Sequence, residues 1–244
     1  MYYFVSDVHL RGGEAADVNS CESRFINWLD SIAPTAREIY LMGDIFDFWY
    51  EWRRVVPKGF VRVLAKFAQL TQQGVRIVFI AGNHDMWVRD YFTKECGVEI
   101  YTKAQIVEIG GKRLYVAHGD NLNIGSNIWL RLMNKTFRSS IARVLFSWLV
   151  HPDLALKFGS WWSNSSRKKH RPYKEGEHIG SEILLSYVEQ EDANLHCDYY
   201  LFGHMHTVVD KEVKGKRVMM INDWGQNPHY IEINQSAEAQ IKEV

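Results

Sequence analysis

Cysteine is scarce: Cys21, Cys96 and Cys197 are the only three in 244 residues. They are odd in number, lie far apart and form no Cys-x-x-Cys pair, which excludes a disulfide framework and a zinc knuckle. There is no internal repeat and no low-complexity linker. No uncharged run reaches the ~18–20 residues of a spanning helix, because Arg131, Arg143 and Asp153 interrupt the most apolar region. Met1-Tyr2-Tyr3-Phe4-Val5-Ser6-Asp7 offers neither a basic segment nor a small-residue cleavage site, so the expectation is a cytoplasmic protein. Net charge is also missing, with 29 Lys+Arg against 29 Asp+Glu.

What is present is apolar and aromatic: 46% hydrophobic and 14% aromatic residues, too many for a disordered chain. The length suits a single domain over 1–244 that buries about 70–75% of its unfolded surface. The zero net charge hides an asymmetry. Residues 121–174 hold ten Lys/Arg and a single acid, Asp153. A basic, aromatic-rich block in an acidic body reads as an insertion with its own partner.

Outside that block, strands alternate with helices. Tyr2–Ser6, Glu38–Met42 and Val75–Ala81 are short apolar runs suited to strands buried on both faces. Between them, Glu22–Ile32 and Gly59–Leu70 place apolar residues at helical spacing, which is the opening of an α/β fold. A hairpin is expected across Gly110-Gly111, between Gln105–Ile109 and Arg113–Ala117. A second is expected across Lys214-Gly215-Lys216, between Val208–Val213 and Arg217–Ile221. Glu177–Gln190 reads as a helix and Tyr199–Phe202 as another buried strand.

Five polar clusters fall at the carboxyl ends of these strands: Asp7-Val8-His9, Gly43-Asp44-Ile45-Phe46-Asp47, Gly82-Asn83-His84-Asp85, His118-Gly119-Asp120 and Gly203-His204-Met205-His206. In open α/β sheets that edge is where ligands bind. Asp, Asn and His supply hard oxygens and borderline nitrogens, a mixture suited to Mn, Fe, Zn or Mg. In Asp-x-His and His-x-His the two side chains point the same way from an extended segment. Glycine before the ligand lets the chain turn sharply at a strand end.

This ordered pattern resembles that of the calcineurin-like metallophosphoesterases, over the whole chain except the basic block. The resemblance implies a four-layer αββα sandwich of mixed sheets with a helical lid at 121–175. It implies two divalent ions, one held by Asp7, His9, Asp44 and His206, the other by Asp44, Asn83, His118 and His204, with Asp44 bridging. His84 would then serve as the acid beside the metals, and Asp85 would orient its ring. Within the superfamily, Phe4-Val5-Ser6-Asp7-Val8-His9-Leu10, Gly43-Asp44-Ile45-Phe46-Asp47-Phe48-Trp49, His118-Gly119-Asp120 and Asp223-Trp224 are similar to the UDP-2,3-diacylglucosamine hydrolases. Those enzymes release UMP and a lipid phosphate during lipid A biosynthesis. That family usually reads Asn-Arg-Asp at Asn83-His84-Asp85, which keeps a different phosphodiesterase or phosphatase open as the alternative.

Ile128, Trp129, Leu132, Met133, Phe137, Ile141, Val144, Leu145 and Trp148 form an apolar surface at broadly helical spacing, flanked by basic residues. Such a helix suits a lipid interface, and Trp161-Trp162 before Arg167-Lys168-Lys169-His170-Arg171 adds aromatic anchors beside cations. The expectations are therefore manganese as the metal, a lipid-linked sugar nucleotide as the substrate and peripheral attachment to the inner face of the cell membrane. Asn123, Arg131 and Lys168 are the candidate substrate contacts on the lid. The aliphatic content favours lipid over nucleic acid, the other ligand that basic and aromatic residues could hold.

Overall fold

The computed structural model describes residues 1–13, 17, 20–122, 132, 136, 139–169, 181–225 and 227–244, with side chains 140, 160, 162–169 and 191–194 also outside the described set. One sheet is built from β1 (Tyr2–Val5), β2 (Glu38–Leu41), β3 (Arg76–Ile80), β4 (Glu99–Tyr101), β10 (His229–Ile233) and β11 (Ala239–Glu243). Its order is β11-β10-β1-β2-β3-β4, with β1 to β4 parallel, β10 antiparallel to β1 and β11 antiparallel to β10. The second contains β5 (Gln105–Ile109), β6 (Lys112–Ala117), β7 (Tyr199–Phe202), β8 (Val209–Val213) and β9 (Lys216–Met220) in the order β5-β6-β7-β9-β8. In it β6, β7 and β9 are parallel, and β5 and β8 are antiparallel edges.

The period-two alternation of side chains explains the layering. Tyr2, Phe4, Tyr40, Met42, Val78 and Ile80 face the second sheet and pack with Leu114, Val116, Leu201 and Met219. Their neighbours Tyr3, Val5, Ile39, Leu41, Ile77 and Phe79 point the other way, onto α1 (Cys21–Ile32) and α2 (Val61–Gln72). Phe25 and Leu29 of α1 and Val63 and Phe67 of α2 cover that face, and all four are fully buried. The outer face of the second sheet, with Tyr200, Phe202 and Met220, is covered by Leu184 and Val188 of a later helix, Ser181–Leu195. Helices thus flank two facing mixed sheets, as the αββα expectation requires.

Ser20 caps α1, its hydroxyl accepting from the Ser23 N–H at 3.2 Å. Three short elements or pairs went unread in the sequence: α3 (Tyr91–Cys96), β4, and the β10–β11 pair. Both hairpins are present, with positive φ at Gly110 and Gly111 and at Lys214 and Gly215. The second turn is one residue tighter than expected, since Lys216 already belongs to β9.

Between β6 and the Ser181–Leu195 helix (α6) lie α4 (Ser140–Leu149) and α5 (Pro152–Lys169). Phe146 of α4 stacks over Trp87 at 6.2 Å and reaches Tyr50 at 5.2 Å. Gly159 of α5 lies so close to the Phe48 ring that an added Cβ would overlap it. The other side of α4 is open. Ile141, Val144, Leu145, Trp148 and Leu149, at the i, i+3, i+4, i+7, i+8 positions of one helix stripe, are 53–83% exposed. Ile128, Trp129, Met133 and Phe137 of the expected surface lie outside the described residues, as do Asn123 and Arg131. Lys168 falls on α5, with its side chain outside the described set. The expected helix Glu177–Gln190 is described from Ser181, since 170–180 are not described.

Candidate metal centre

All five polar clusters converge at the carboxyl ends of parallel strands. Asp7 and His9 follow β1, Asp44 follows β2 and Asn83 and His84 follow β3, while His118 follows β6 and His204 and His206 follow β7. Within the second sheet, the Gly203 N–H donates to the His118 carbonyl at 3.0 Å and joins the ends of β7 and β6. His118 Nδ1 donates across to the Met42 carbonyl at 2.9 Å. A carbonyl can only accept, so this bond places the proton on Nδ1 and turns Nε2 toward Asp44.

The loops are strained to do this. Asp7, His9, Asp44, His204 and His206 all have φ between 49° and 67°. For residues with a Cβ this conformation costs about 1–3 kcal/mol each, and such outliers gather at functional sites. Close approach is supplied by glycine: a Cβ on Gly82 would strike the Asp44 carboxylate, and one on Gly203 would strike the Ser6 hydroxyl. Ser6 donates in turn to Asp7 Oδ2, which also accepts from the His204 N–H at 2.9 Å.

Two groups of donors result. Asp7, His9 and His206 bring one ligand atom each to within 4.8 Å of one another, and so do Asp44, His118 and His204. Asn83 Oδ1 joins the second group, 3.2 Å from His118 Nε2. A third grouping, His9, Asp44 and His84, overlaps both and puts Asp44 between them. Every sequence-predicted ligand is thus brought to one place. Asp7 and Asp44 are buried, and among the described residues their ion-pairing neighbours are imidazoles, with no lysine or arginine. Two buried carboxylates surrounded by imidazole nitrogens fit divalent cations, which would supply the missing positive charge.

Proton affinities follow from this crowding. Burial would raise Asp7, but the charge and hydrogen bond of His206, with the charge of His118, hold its carboxyl well below the usual range. Asp44 is likewise lowered, its burial outweighed by His118 and His84. Burial pushes His9 and His204 down to about 4. His118 and His206 rise instead, because Asp44 and Asp7 respectively outweigh their burial.

His84 is buried beside the groups, Nε2 lying 3.8 Å from Asp44 Oδ2. Its ring is oriented by the Asp47 main-chain carbonyl, which accepts from Nδ1 at 2.8 Å. This corrects the expectation for Asp85. The Asp85 carboxylate is occupied by backbone N–H groups, Ile45 at 2.8 Å and Phe46 at 3.4 Å on Oδ2 and Gly82 at 2.8 Å on Oδ1. Asp85 therefore locks the Asp44 and Asn83 loops together. Burial and then the Asp44 charge push its pKa up to about 7, against the N–H donors of Gly82 and Phe46.

Two carboxylates had no assigned role in the sequence. Asp47 Oδ1 faces His9 Nδ1 at 3.6 Å, and its Oδ2 lies 3.6 Å from Arg11 Nε, a half-exposed guanidinium. Asp223 Oδ2 faces His206 Nδ1 at 3.4 Å. Asp47 stood in the Gly-Asp-x-x-Asp motif and Asp223 beside Trp224, the only signals that could have found them. Trp224 is fully buried and donates its main-chain N–H to the Asp7 carbonyl at 3.1 Å, which anchors the Asp223 segment to the site.

Two facing sheets whose parallel strands end on one Asp, Asn and His cluster define a metal-dependent phosphoesterase. The profile of the family described as Calcineurin-like phosphoesterase matches residues 2–208, and the chain belongs to that family. A UDP-2,3-diacylglucosamine hydrolase of Porphyromonas gingivalis is 39% identical over 235 residues, covering 91% of this chain and 89% of its own length. One from Histophilus somni is 26% identical over 238 residues, covering 95% of each chain.

Proposed function

We propose that this phosphoesterase cleaves the diphosphate of UDP-2,3-diacylglucosamine to UMP and 2,3-diacylglucosamine 1-phosphate, a step of lipid A biosynthesis. The observation that carries the reading is the complete Asp/Asn/His cluster in a chain 39% identical to a hydrolase of that name. One divalent ion would be held by Asp7, His9, Asp44 and His206 and a second by Asp44, Asn83, His118 and His204, with manganese the metal we expect. Such a pair supplies Lewis-acid neutralisation of the phosphoryl charge and an acidified water.

The chain's own residues do the rest. Asp47 and Asp223 hold the His9 and His206 rings. His84, with Nδ1 tied to the Asp47 carbonyl, presents Nε2 toward the cluster, where a proton on that atom can pass to the leaving oxygen. Residues 121–175 form a lid on a single domain spanning 1–244. The exposed apolar stripe of α4 and the exposed Leu154, Phe158 and Trp161 of α5 support a role in receiving acyl chains or a membrane surface. This suits an enzyme working at the inner face of the cell membrane. Asn123, Arg131 and Lys168 remain the proposed contacts to substrate from that lid.

Release of UMP from the purified, manganese-loaded protein and UDP-2,3-diacylglucosamine is the deciding assay. Hydrolysis of a generic diester without UMP release would move the assignment to another phosphodiesterase, the reading favoured by His84 standing where the hydrolases usually have arginine. Trp148→Glu with Leu149→Glu should raise KM for the diacylated substrate while sparing a small chromogenic diester. Equal loss on both substrates would remove the acyl-binding role of the stripe.

A further inference from the structure

Two surface clefts of similar size differ sharply in their charge balance, and neither is lined by the Asp/His cluster. The first, about 370 Å³, carries Lys112, Lys211 and Arg217 against Asp198, Asp210 and Glu212. Two of its three cations are satisfied internally: Lys112 reaches Asp198 at 2.9 Å, and Arg217 makes two bonds to Asp210 at 2.8 and 2.7 Å. The second, about 450 Å³, is lined by Arg89, Lys103 and Arg143 with Tyr101, Thr102 and Gln105, and by no carboxylate.

The three cations of that second cleft come from separate parts of the chain. Arg89 lies between β3 and α3, Lys103 links β4 to β5, and Arg143 belongs to α4. Among the described residues none of these three side chains forms an ion pair. Tyr50 shows how near two of them come. Its hydroxyl donates to the Arg143 main-chain oxygen at 2.7 Å, and while burial raises its pKa, the charges of Arg143 and Arg89 both act against that rise. Folding therefore gathers like charges around one concavity with no carboxylate in its lining, an arrangement that attracts an anion into the cleft. Two guanidiniums that can bind in bidentate fashion and an ammonium point charge match the oxygens of a phosphate.

We propose that this cleft binds a phosphate group, free or carried by an anionic lipid, at a site separate from the candidate metal centre. Arg89 is on the same segment as His84, and Arg143 is on the helix whose Phe146 packs against Trp87. An occupied cleft consequently ties α4 to the loop that carries His84. The binding requires neither the sugar-nucleotide substrate nor the metals.

The test uses the full chain with its metals and two triple variants that remove equal charge. Arg89→Gln/Lys103→Gln/Arg143→Gln empties the unbalanced cleft of cations, and Lys112→Gln/Lys211→Gln/Arg217→Gln does so for the balanced one. Orthophosphate binding is read by equilibrium dialysis, and lipid binding by flotation with phosphatidylglycerol/phosphatidylcholine vesicles against phosphatidylcholine alone. We expect the first variant to bind at least one probe about 10-fold more weakly than wild type, the scale of losing one or two charge-assisted hydrogen bonds. The second variant should bind as wild type. Weakening with orthophosphate identifies a small phosphate ligand, and weakening with anionic vesicles alone identifies a headgroup. Hydrolysis of a chromogenic diester by the first variant checks its fold. If the triple variant does not fold, Arg89→Gln and Lys103→Gln singly carry the same measurement. Wild-type binding of neither probe, retention by the cleft variants, or an equal loss in the balanced-cleft variant overturns the proposal.

Discussion

His84 and Asp47 are joined by a 2.8 Å hydrogen bond from the imidazole Nδ1 to the main-chain oxygen. Because the acceptor is a carbonyl, the bond survives replacement of the Asp47 side chain and fixes which ring nitrogen meets the cluster.

His84→Ala should therefore lower turnover by roughly 10²–10⁴-fold, the range for loss of a general acid, while both metals remain bound. Metal content by elemental analysis, beside kcat, checks this. Near-normal turnover would make His84 a packing residue.

Asp44→Ala should abolish activity and metal binding together, because Asp44 falls in two of the three donor groups. Two tightly bound ions in that variant would reject the bridging role.

Asp223→Ala leaves all seven candidate ligands in place but removes the carboxylate that faces His206 Nδ1. Loss of such a supporting carboxylate typically costs 10–100-fold in metal affinity or activity. Asp47→Ala should act the same way through His9. A metal titration that matches wild type in both variants would show that the rings are held by their loops alone.

Acid and base act oppositely on the metal-stripped protein. His118 and His206 are raised, so their contribution to stability is complete below about pH 6.5 and is lost as pH rises through their folded values. Asp7 and Asp44 are lowered, so their contribution is present above about pH 4 and is lost as pH falls through theirs. Stripped protein should have its highest Tm between those limits and lose stability above neutrality. Added divalent metal, which needs neutral imidazoles, should restore it and release protons. A Tm that rises steadily to pH 8 without metal contradicts this balance.

Gly82→Ala drives a Cβ into the Asp44 carboxylate and main chain. Overpacking of this kind costs about 1–3 kcal/mol, and here it also displaces a metal-facing oxygen. Chemical denaturation with metal titration should register both effects. Unchanged metal affinity would show that the Asp44 loop can yield.

Much of this was legible in the sequence. β1, β2, β3 and β7 are apolar runs buried on both faces, and their ends fell within one residue of expectation. The ligand clusters were legible because each sits within a few residues of a strand end. Short or edge elements such as β4 and β11 were not, since the three half-exposed residues of β4 and the mostly exposed five of β11 carry no clear alternation. Nor was the work of Asp47, Asp85 and Asp223. A carboxylate placed against a ring, as Asp47 and Asp223 are, or against the N–H groups of another loop, as Asp85 is, depends on how the loops close over one another, and that is written in no local pattern.

The closure of the sheets has a further consequence. Asp7, His9, Asp44, Asn83 and His84 hang from one sheet, whereas His118, His204 and His206 hang from the other. The apolar layer between them, with Phe4 stacked on Tyr40 at 4.7 Å, is thus the gauge block that sets the gap across the centre. Small slippage at that layer would detune the donor distances between the two halves at once, so a change of side-chain volume there reaches chemistry carried out at the far end of the strands.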